Sequence, residues 1–243
     1  MEKSKYFAKN DMEPLYIQIE SDICKRILSK EWKSGDRLPS EAELCVLYDV
    51  SRVTIRNAIE KLQEKGYLVK YQGKGTFIKD IQIEQRLSKF YSFSEVIRAS
   101  GMEERARLLK FERVKMDPRI AAAHFWDPNE LVFRIERVRF VEFRPYALEV
   151  SYIPVRCARA LDADMVQNCG LYKSLNNQGV FLTSAKECFY AINADERSSA
   201  LLNIPAEKAV IHLERTAFSG SQAVEYCECV VRGDFFRYTA ELK

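Results

Sequence analysis

Two arginines one residue apart, Arg137 and Arg139, lie on a segment whose alternate positions are otherwise apolar: Leu131, Phe133, Ile135 and Val141. If residues 131–141 form a strand, these six side chains share one face, because successive side chains point to opposite sides. A guanidinium on a core-facing row is costly unless a carboxylate, a carbonyl or an anionic ligand neutralises it. Two further alternating segments offer carboxylates among small or apolar neighbours. Glu149 shares a face with Ala147, Ser151 and Ile153, and Glu225 shares one with Ala223, Cys227, Cys229 and Val231. Three arrangements satisfy this pattern. The acids pair with the arginines internally, or a slipped register leaves both arginines in water, or the arginines clamp a phosphate or carboxylate while the acids accept hydrogen bonds from its hydroxyl or amino groups.

A second constellation lies near the N-terminus. Arg52 and Arg56 are four apart on one predicted helix, with Thr54 and Asn57 nearby, and Lys74 stands between Gly73 and Gly75 in a predicted turn. Arginine offers a forked donor to guanine or phosphate. The overall net charge is only +3, but its distribution is uneven. Nine acids face five bases between Asp11 and Asp49, whereas seven bases face only Glu60 and Glu64 between Val50 and Lys79. That polarity suits a small domain presenting one end to phosphates, and also suits an ordinary solvated charged face.

Other chemistries find little support. The two histidines, His124 and His212, have no second metal ligand near them in sequence, and no nucleophile–base pair stands out. Seven cysteines, an odd number without a Cys-x-x-Cys pair, argue against a disulfide framework or a zinc site and read as small buried hydrophobes. No metal or cofactor is expected. No apolar run approaches the ~18 residues needed to span a bilayer, and the start Met1-Glu2-Lys3-Ser4-Lys5 lacks an apolar signal core, so a cytoplasmic location without membrane contact is expected.

The elements that must position these groups can be read in order. Pro14 suits the first turn of a helix, and Tyr16, Ile19, Ile23 and Ile27 make its apolar stripe, with Gly35 beyond its end. Ser40 with Glu43 is a capping-box pattern before a short helix whose inner face holds Leu44 and Leu47. After the turn Asp49-Val50, Ser51 can cap a third helix that buries Ile55, Ile59 and Leu62 and ends at Gly66. Segments 67–71 and 76–78 read as strands around Gln72-Gly73-Lys74-Gly75. Three helices and a β-hairpin are the layout of a winged helix-turn-helix, whose last helix enters the major groove. Short helical trios also serve as docking or dimerisation units.

Four ordered motifs carry a resemblance. Pro14-Leu15-Tyr16-x-Gln18-Ile19, Leu38-Pro39-Ser40-Glu41, Val50-Ser51-Arg52-x-Thr54-x-Arg56 and Gly73-x-Gly75-Thr76-Phe77 closely resemble the DNA-binding domain of the GntR family of bacterial regulators. The resemblance implies that Ser51, Arg52, Thr54 and Arg56 meet operator DNA through the recognition helix, with Arg37, Ser40 and Glu41 before it. Gly73, Lys74, Gly75 and Thr76 would form a minor-groove wing. Many members carry arginine where this chain has Ala42, which points to an altered operator.

Residues 80–88 are polar and are expected as a linker between a DNA-binding domain, 1–79, and a second domain, 89–243. Phe90, Phe93, Val96 and Ile97 suggest a short helix ending at Gly101. Alternation then predicts strands over 108–114, 131–141, 146–153, 181–192, 210–218 and 223–231, with helical stretches over 117–124, 171–175 and 195–202. The expected class is α+β, a winged helix-turn-helix joined to a mainly antiparallel sheet with helices packed on it. Phe93-Ser94-Glu95, Arg137-x-Arg139, Glu149-x-Ser151-Tyr152-Ile153-Pro154, Leu171-Tyr172, Glu214-Arg215 and Glu225-Tyr226 with Arg232-Gly233-Asp234 resemble the UTRA effector-binding domain of the HutC subfamily, whose fold is similar to chorismate lyase.

By resemblance, Arg137, Arg139, Ser94 (or Ser92) and Tyr172 hold the phosphate of a sugar phosphate, and Glu149 and Glu225 hold the sugar. Two departures matter: Gly170 replaces a serine before Tyr172, and Val231 replaces an aromatic before Arg232. The resemblance implies a homodimeric repressor whose operator binding responds to a small anionic metabolite, a sugar phosphate first, with amino-acid-like, phosphonate or fatty-acid ligands as alternatives. A lyase-like fold does not by itself establish an enzyme, and the arginines and carboxylates suffice for binding.

Overall fold

The computed structural model describes residues 13–29, 31–79, 83–86, 93–99, 102–124 and 126–241. Two compact units result, one from the described residues up to Ile83 with Ile97–Met102, the other from Glu84–Val96 and the residues from Glu103 on.

The first unit holds α1 (Leu15–Leu28), α2 (Glu41–Tyr48), α3 (Arg52–Glu64) and the antiparallel hairpin β1 (Leu68–Tyr71) and β2 (Gly75–Ile78). Pro14 sits at the N-cap of α1, and Ile19, Ile23 and Ile27 are buried on its inner face. These meet Ile55, Ala58 and Leu62 of α3, each fully buried, which sets the angle at which α3 presents its other side to solvent. Ser40 closes a complete capping box: its hydroxyl accepts from the Glu43 N–H (3.3 Å), and the Ser40 N–H donates to Glu43 Oε2 (2.7 Å). Asp49, left-handed at φ 53°, ends α2 and turns the chain into α3. Tyr48 donates to Asp22 (2.8 Å), which also accepts from Arg26 (2.8 Å), so α2 is fastened to α1 by a polar contact as well as by Leu44. The segment before α2 runs along β2, with Leu38 N–H on Thr76 O and Ile78 N–H on Asp36 O, both 2.9 Å.

The second unit is a six-stranded antiparallel sheet in the order β4 (Glu104–Lys115), β5 (Leu131–Val141), β6 (Arg144–Pro154), β9 (Gln222–Val231), β8 (Ala209–Ser219), β7 (Ser184–Asn193). Helices α4 (Phe93–Ala99), α5 (Pro118–His124), α6 (Ala163–Cys169), α7 (Leu171–Asn176) and α8 (Glu196–Leu202) complete the described set. One sheet face packs Phe133, Ile135 and Ile153 against Val166 of α6 and Leu171 and Leu175 of α7. The other packs Val138, Leu148 and Val210 against Leu202 of α8 and Ile204. Both faces of β5 are therefore covered, and a polar residue on either one needs a partner.

The α+β class and antiparallel sheet agree with expectation, with differences at particular elements. Four residues expected as linker form β3 (Ile83–Arg86), which pairs with β10 (Phe236–Thr239). Neither is long enough to show a period. Helix α6 was not expected, β4 begins earlier at Glu104, and β7 begins later at Ser184. Phe90 and Gly101, which framed the expected short helix, lie outside the described residues, as does Ser92. The cysteines are not uniformly buried: Cys24, Cys227 and Cys229 are, but Cys169 at the end of α6 and Cys188 on the edge strand β7 are exposed. Among the described residues no helix is long and apolar enough to cross a membrane, and no group of His, Cys, Asp and Glu is placed to hold a metal ion.

The chain's two tryptophans include Trp32 in the first unit. With Trp126→Phe making Trp32 the sole reporter, Ser40→Ala is expected to lower the stability of this unit by about 1 kcal/mol through loss of the cap. Urea titration followed by fluorescence measures it, and an unchanged midpoint would mean that the cap adds nothing.

Candidate functional site

The exposed chemistry of the first unit is arranged by its caps. Ser51 accepts from the Thr54 N–H at 3.3 Å, and the two hydroxyls lie 2.8 Å apart, so both side chains serve the start of α3. Arg52 and Arg56 stand exposed on that helix. Arg56 Nε donates to Glu41 Oε2 of α2 (2.9 Å), which limits the directions the guanidinium can take. Ser40 hydrogen bonds hold the Glu43 carboxyl below its usual range. In the hairpin, Lys74 is exposed beside Gly73 at φ 75°, and its N–H closes the turn on Tyr71 O at 3.0 Å. Gly75 has φ 113°, and a Cβ there would lie 2.7 Å from Arg37 Nε. The Arg37 side chain thus lies over the turn, and the backbone angle at 75 is one that glycine adopts without strain. Thr76 is half-buried, tied through its carbonyl to Leu38. Val53, 66% exposed beside Arg52, is an apolar group that the motif reading did not single out.

The second cluster lies inside the sheet domain. Arg137 and Arg139 of β5 share a face with Glu149 of β6, because Arg137 pairs directly with Glu149 and Arg139 with Ala147. Arg137 Nη2 donates to Glu149 Oε1, and Arg139 Nη1 donates to Glu149 Oε2 at 2.9 Å. Arg139 also donates to Glu104 of β4 and to Ser94 of α4, each at 2.9 Å, and Ser94 donates to Glu104 at 3.0 Å. Next along the face, Ser151 Oγ is 3.4 Å from Glu149, and Tyr172 of α7 donates to Glu225 of β9 at 2.8 Å. Arg215 of β8 donates to the Tyr172 oxygen (3.1 Å) and to Glu187 of β7 (2.6 Å). Arg137, Arg139, Glu149, Ser151, Arg215 and Glu225 are all buried.

The structure thus brings Ser94, Arg137, Arg139, Glu149, Tyr172 and Glu225 onto one face and selects the internal ion pair from the arrangements open to the sequence. Glu104 and Glu187, which no motif contained, join them, as do Ser151 and Arg215, which the motifs contained without a ligand role. Arg215 was detectable by the argument used for Arg137, since Leu213 and Ala217 flank it on an apolar row, both buried. Glu104 was not, because its place follows from the β4–β5 pairing. The buried Nε of Arg137 has no hydrogen-bond partner among the described residues.

The charges shift one another. Burial raises the Glu149 pKa, but Arg137 and Arg139 outweigh that and hold it at about 2. Burial alone would lower the Arg139 guanidinium, yet Tyr146, Glu104 and Glu149 hold it well above its ordinary value. Glu225 is pushed up by burial and by the nearby Glu149 charge, despite hydrogen bonds from Tyr172 and Ser151. Two carboxylates a few ångströms apart therefore differ in acidity for a physical reason: one faces two guanidiniums and the other mainly a phenol.

A three-helix unit with a β-hairpin wing and an exposed Arg52/Arg56 pair, followed by a sheet domain with a buried polar cluster, defines a winged-helix regulator with a sensing domain. Residues 15–78 match the family described as bacterial regulatory proteins, gntR family, and residues 99–237 match the UTRA domain. The chain belongs to the GntR family of bacterial transcription regulators, in the HutC-type group in which a UTRA domain follows the DNA-binding domain. It is 29% identical over 228 residues to the HTH-type transcriptional repressor NagR of Bacillus subtilis, covering 93% of each chain. It is 27% identical over 227 residues to the mannosyl-D-glycerate transport/metabolism system repressor MngR of Escherichia coli, covering 93% of this chain and 95% of that one. Among solved structures, PhnF from Mycobacterium smegmatis shares the fold, with a TM-score of 0.63 at 23% identity over 92% of this chain and 98% of that one.

The Glu149 shift has a measurable consequence. Its folded pKa lies below the ordinary 4.5, so the stabilisation is complete above about pH 4.5 and is lost as pH falls toward about 2. Glu225, raised, contributes with the opposite sign. Glu149→Gln is expected to remove about 2 kcal/mol of the stability that the wild type loses between about pH 5 and 3. Urea unfolding across that range measures it, and parallel pH profiles for the two proteins would count against the buried pair as the source.

Proposed function

We propose that this regulator is a cytoplasmic homodimeric repressor that releases its operator on binding a small anionic metabolite, a sugar phosphate being the first class to test. Residues 1–79 act as the DNA-binding module and 89–243 as the effector module. The observation that carries the effector assignment is the unpartnered, buried Nε–H of Arg137 beside Arg139 and Ser94, a set of convergent donors suited to phosphate or carboxylate oxygens. The relatives named as repressors, one of them for a carboxylate-bearing glycoside, support the same reading.

Glu149 stands in for the anion in the empty state. A ligand phosphate competes with it for Arg137 and Arg139, and the displaced carboxylate becomes an acceptor for a ligand hydroxyl. The resemblance puts Tyr172 on the phosphate, but its hydroxyl donates to Glu225, so Glu225 and Tyr172 together complete the sugar side. Gly170 removes one hydroxyl donor from that end, and Val231 removes another, so the donors of this chain are concentrated on the arginines. Effector and operator then oppose each other by a coupling free energy of typically ~1–3 kcal/mol.

On DNA, two copies place their α3 helices on half-sites of a pseudo-palindrome. Arg52 and Arg56 meet base edges or phosphates from the α3 start, Glu41 holds Arg56 in place, and Arg37, Lys74 and Thr76 bring the wing against the backbone. Ser40 and Ser51 present helix starts whose N–H groups attract phosphate.

Arg52→Ala and Arg56→Ala are each expected to cost about 1–3 kcal/mol in binding a fragment from the gene's own upstream region. Mobility-shift titration at several salt concentrations measures this, and unchanged affinity and salt slope in both would sink the recognition-helix assignment. Thermal-shift screening with sugar phosphates is expected to show stabilisation that Arg137→Ala abolishes. If only uncharged compounds stabilise the protein, the anion clamp is wrong.

A further inference from the structure

The sheet domain is built twice. β4-α5-β5-β6 and β7-α8-β8-β9 have the same element order, and the sheet order places β6 beside β9 with the two halves mirrored outward. Each half has a hairpin, Val141↔Arg144 in one and Ser219↔Gln222 in the other, with a positive φ at its turn (Glu142, 53°; Gly220, 61°). In each, the register shifts after the second pair from the turn, at Arg139/Phe140 and at Ala217/Phe218. Counting back from the shift, Arg137 in the first half and Arg215 in the second occupy the same position.

Arg215 is thus the counterpart of Arg137, buried on the same face and three strands away, about 14 Å across the sheet at the usual strand spacing. A continuous polar chain joins them: Arg137 to Glu149, Ser151 beside Glu149, Ser151 and Tyr172 on Glu225, and Arg215 on Tyr172. Each arginine end is tethered by a glutamate from the neighbouring edge strand, Glu104 on Arg139 and Glu187 on Arg215. Glu187 stands on the edge strand β7, meets Arg215 Nε at 2.6 Å, and keeps its side chain 13% exposed.

We propose that Arg215 is a second ligand-holding pole of the effector site. The effector carries an acid at each end of a hydroxylated chain, the first on Arg137 and Arg139 and the second on Arg215, with its hydroxyls facing Glu149 and Glu225. The second acid takes the place of Glu187, which can turn outward from the sheet edge into water. This rests on the effector site proposed above and narrows its ligand from a single-acid metabolite to a two-ended one.

Calorimetric titration of the full-length protein with two probes tests it. Glucose 6-phosphate carries one acid, and 6-phosphogluconate carries a phosphate and a carboxylate at opposite ends. The wild type is expected to bind 6-phosphogluconate about tenfold or more tightly than glucose 6-phosphate. Arg215→Gln is expected to erase that difference by weakening 6-phosphogluconate far more than glucose 6-phosphate, and Glu187→Gln, which frees the guanidinium, to widen it. Equal wild-type affinities, or a parallel loss for both probes in Arg215→Gln, overturn the second pole and leave the first intact. If Arg215→Gln does not fold, Glu187→Gln decides alone: no gain for 6-phosphogluconate overturns the proposal. Failure of both probes to bind the wild type, or binding indifferent to Arg137→Gln, overturns the site assignment and this inference with it.

Discussion

Every guanidinium on the inner face of the sheet has to be neutralised within the protein, and that requirement organises the second domain. Arg137 and Arg139 are taken out of water on β5, and Glu149 can reach both only if β5 and β6 pair in the observed register. A slip of one residue would send the arginines and their carboxylate to opposite faces, leaving charges buried without partners, at a cost of several kcal/mol. The edge strands are held by the same rule, since β4 supplies Glu104 to Arg139 and β7 supplies Glu187 to Arg215. Apolar packing against α6, α7 and α8 gives the sheet its stability. The ion pairs make one alignment far better than its neighbours.

The same constraint shapes how a ligand can enter. In the proposed effector site the arginines already face carboxylates, so net charge alone would not draw an anion in. On that proposal a ligand anion would replace one carboxylate, and selectivity would depend on how well it replaces the geometry of Glu149. Low dielectric strengthens both the native pair and its replacement, so the exchange is decided by differences in hydrogen bonding. The orphaned Nε–H of Arg137 is one donor that a suitable ligand can satisfy and the native pair cannot.

The DNA-binding unit works under the opposite condition. Arg52, Arg56 and Lys74 are exposed, their charges are screened by salt, and they carry little folding energy. Their positions come from uncharged features beneath them: the Ser40 and Ser51 caps, the left-handed Asp49, and the glycine at 75 that admits Arg37. Groups that meet a polyanion can remain in water until the partner arrives, whereas groups that enclose a small ligand must be buried beforehand.

By itself the sequence determined the elements with strong local signals. The Ile19–Ile23–Ile27 stripe, the Ser40/Glu43 box and the Ile55–Ile59–Leu62 row specify helices because burial and capping act within a few residues of each position. The long alternating segments likewise made β5, β6, β8 and β9 readable, and the apolar row around Arg137 and Arg139 marked them as residues in need of a partner. The four-residue strands β3 and β10 were invisible, being too short for a period and defined only by pairing across most of the chain. The partner of each buried arginine was also beyond the sequence, which left ion pair, ligand clamp and solvent all open. Tertiary structure supplied the ion pair, because which carboxylate meets which guanidinium depends on strand order and register. It also brought in Glu104 and Glu187 from opposite edges and revealed Arg215 as the counterpart of Arg137. Those relations exist only when the two halves of the sheet lie side by side.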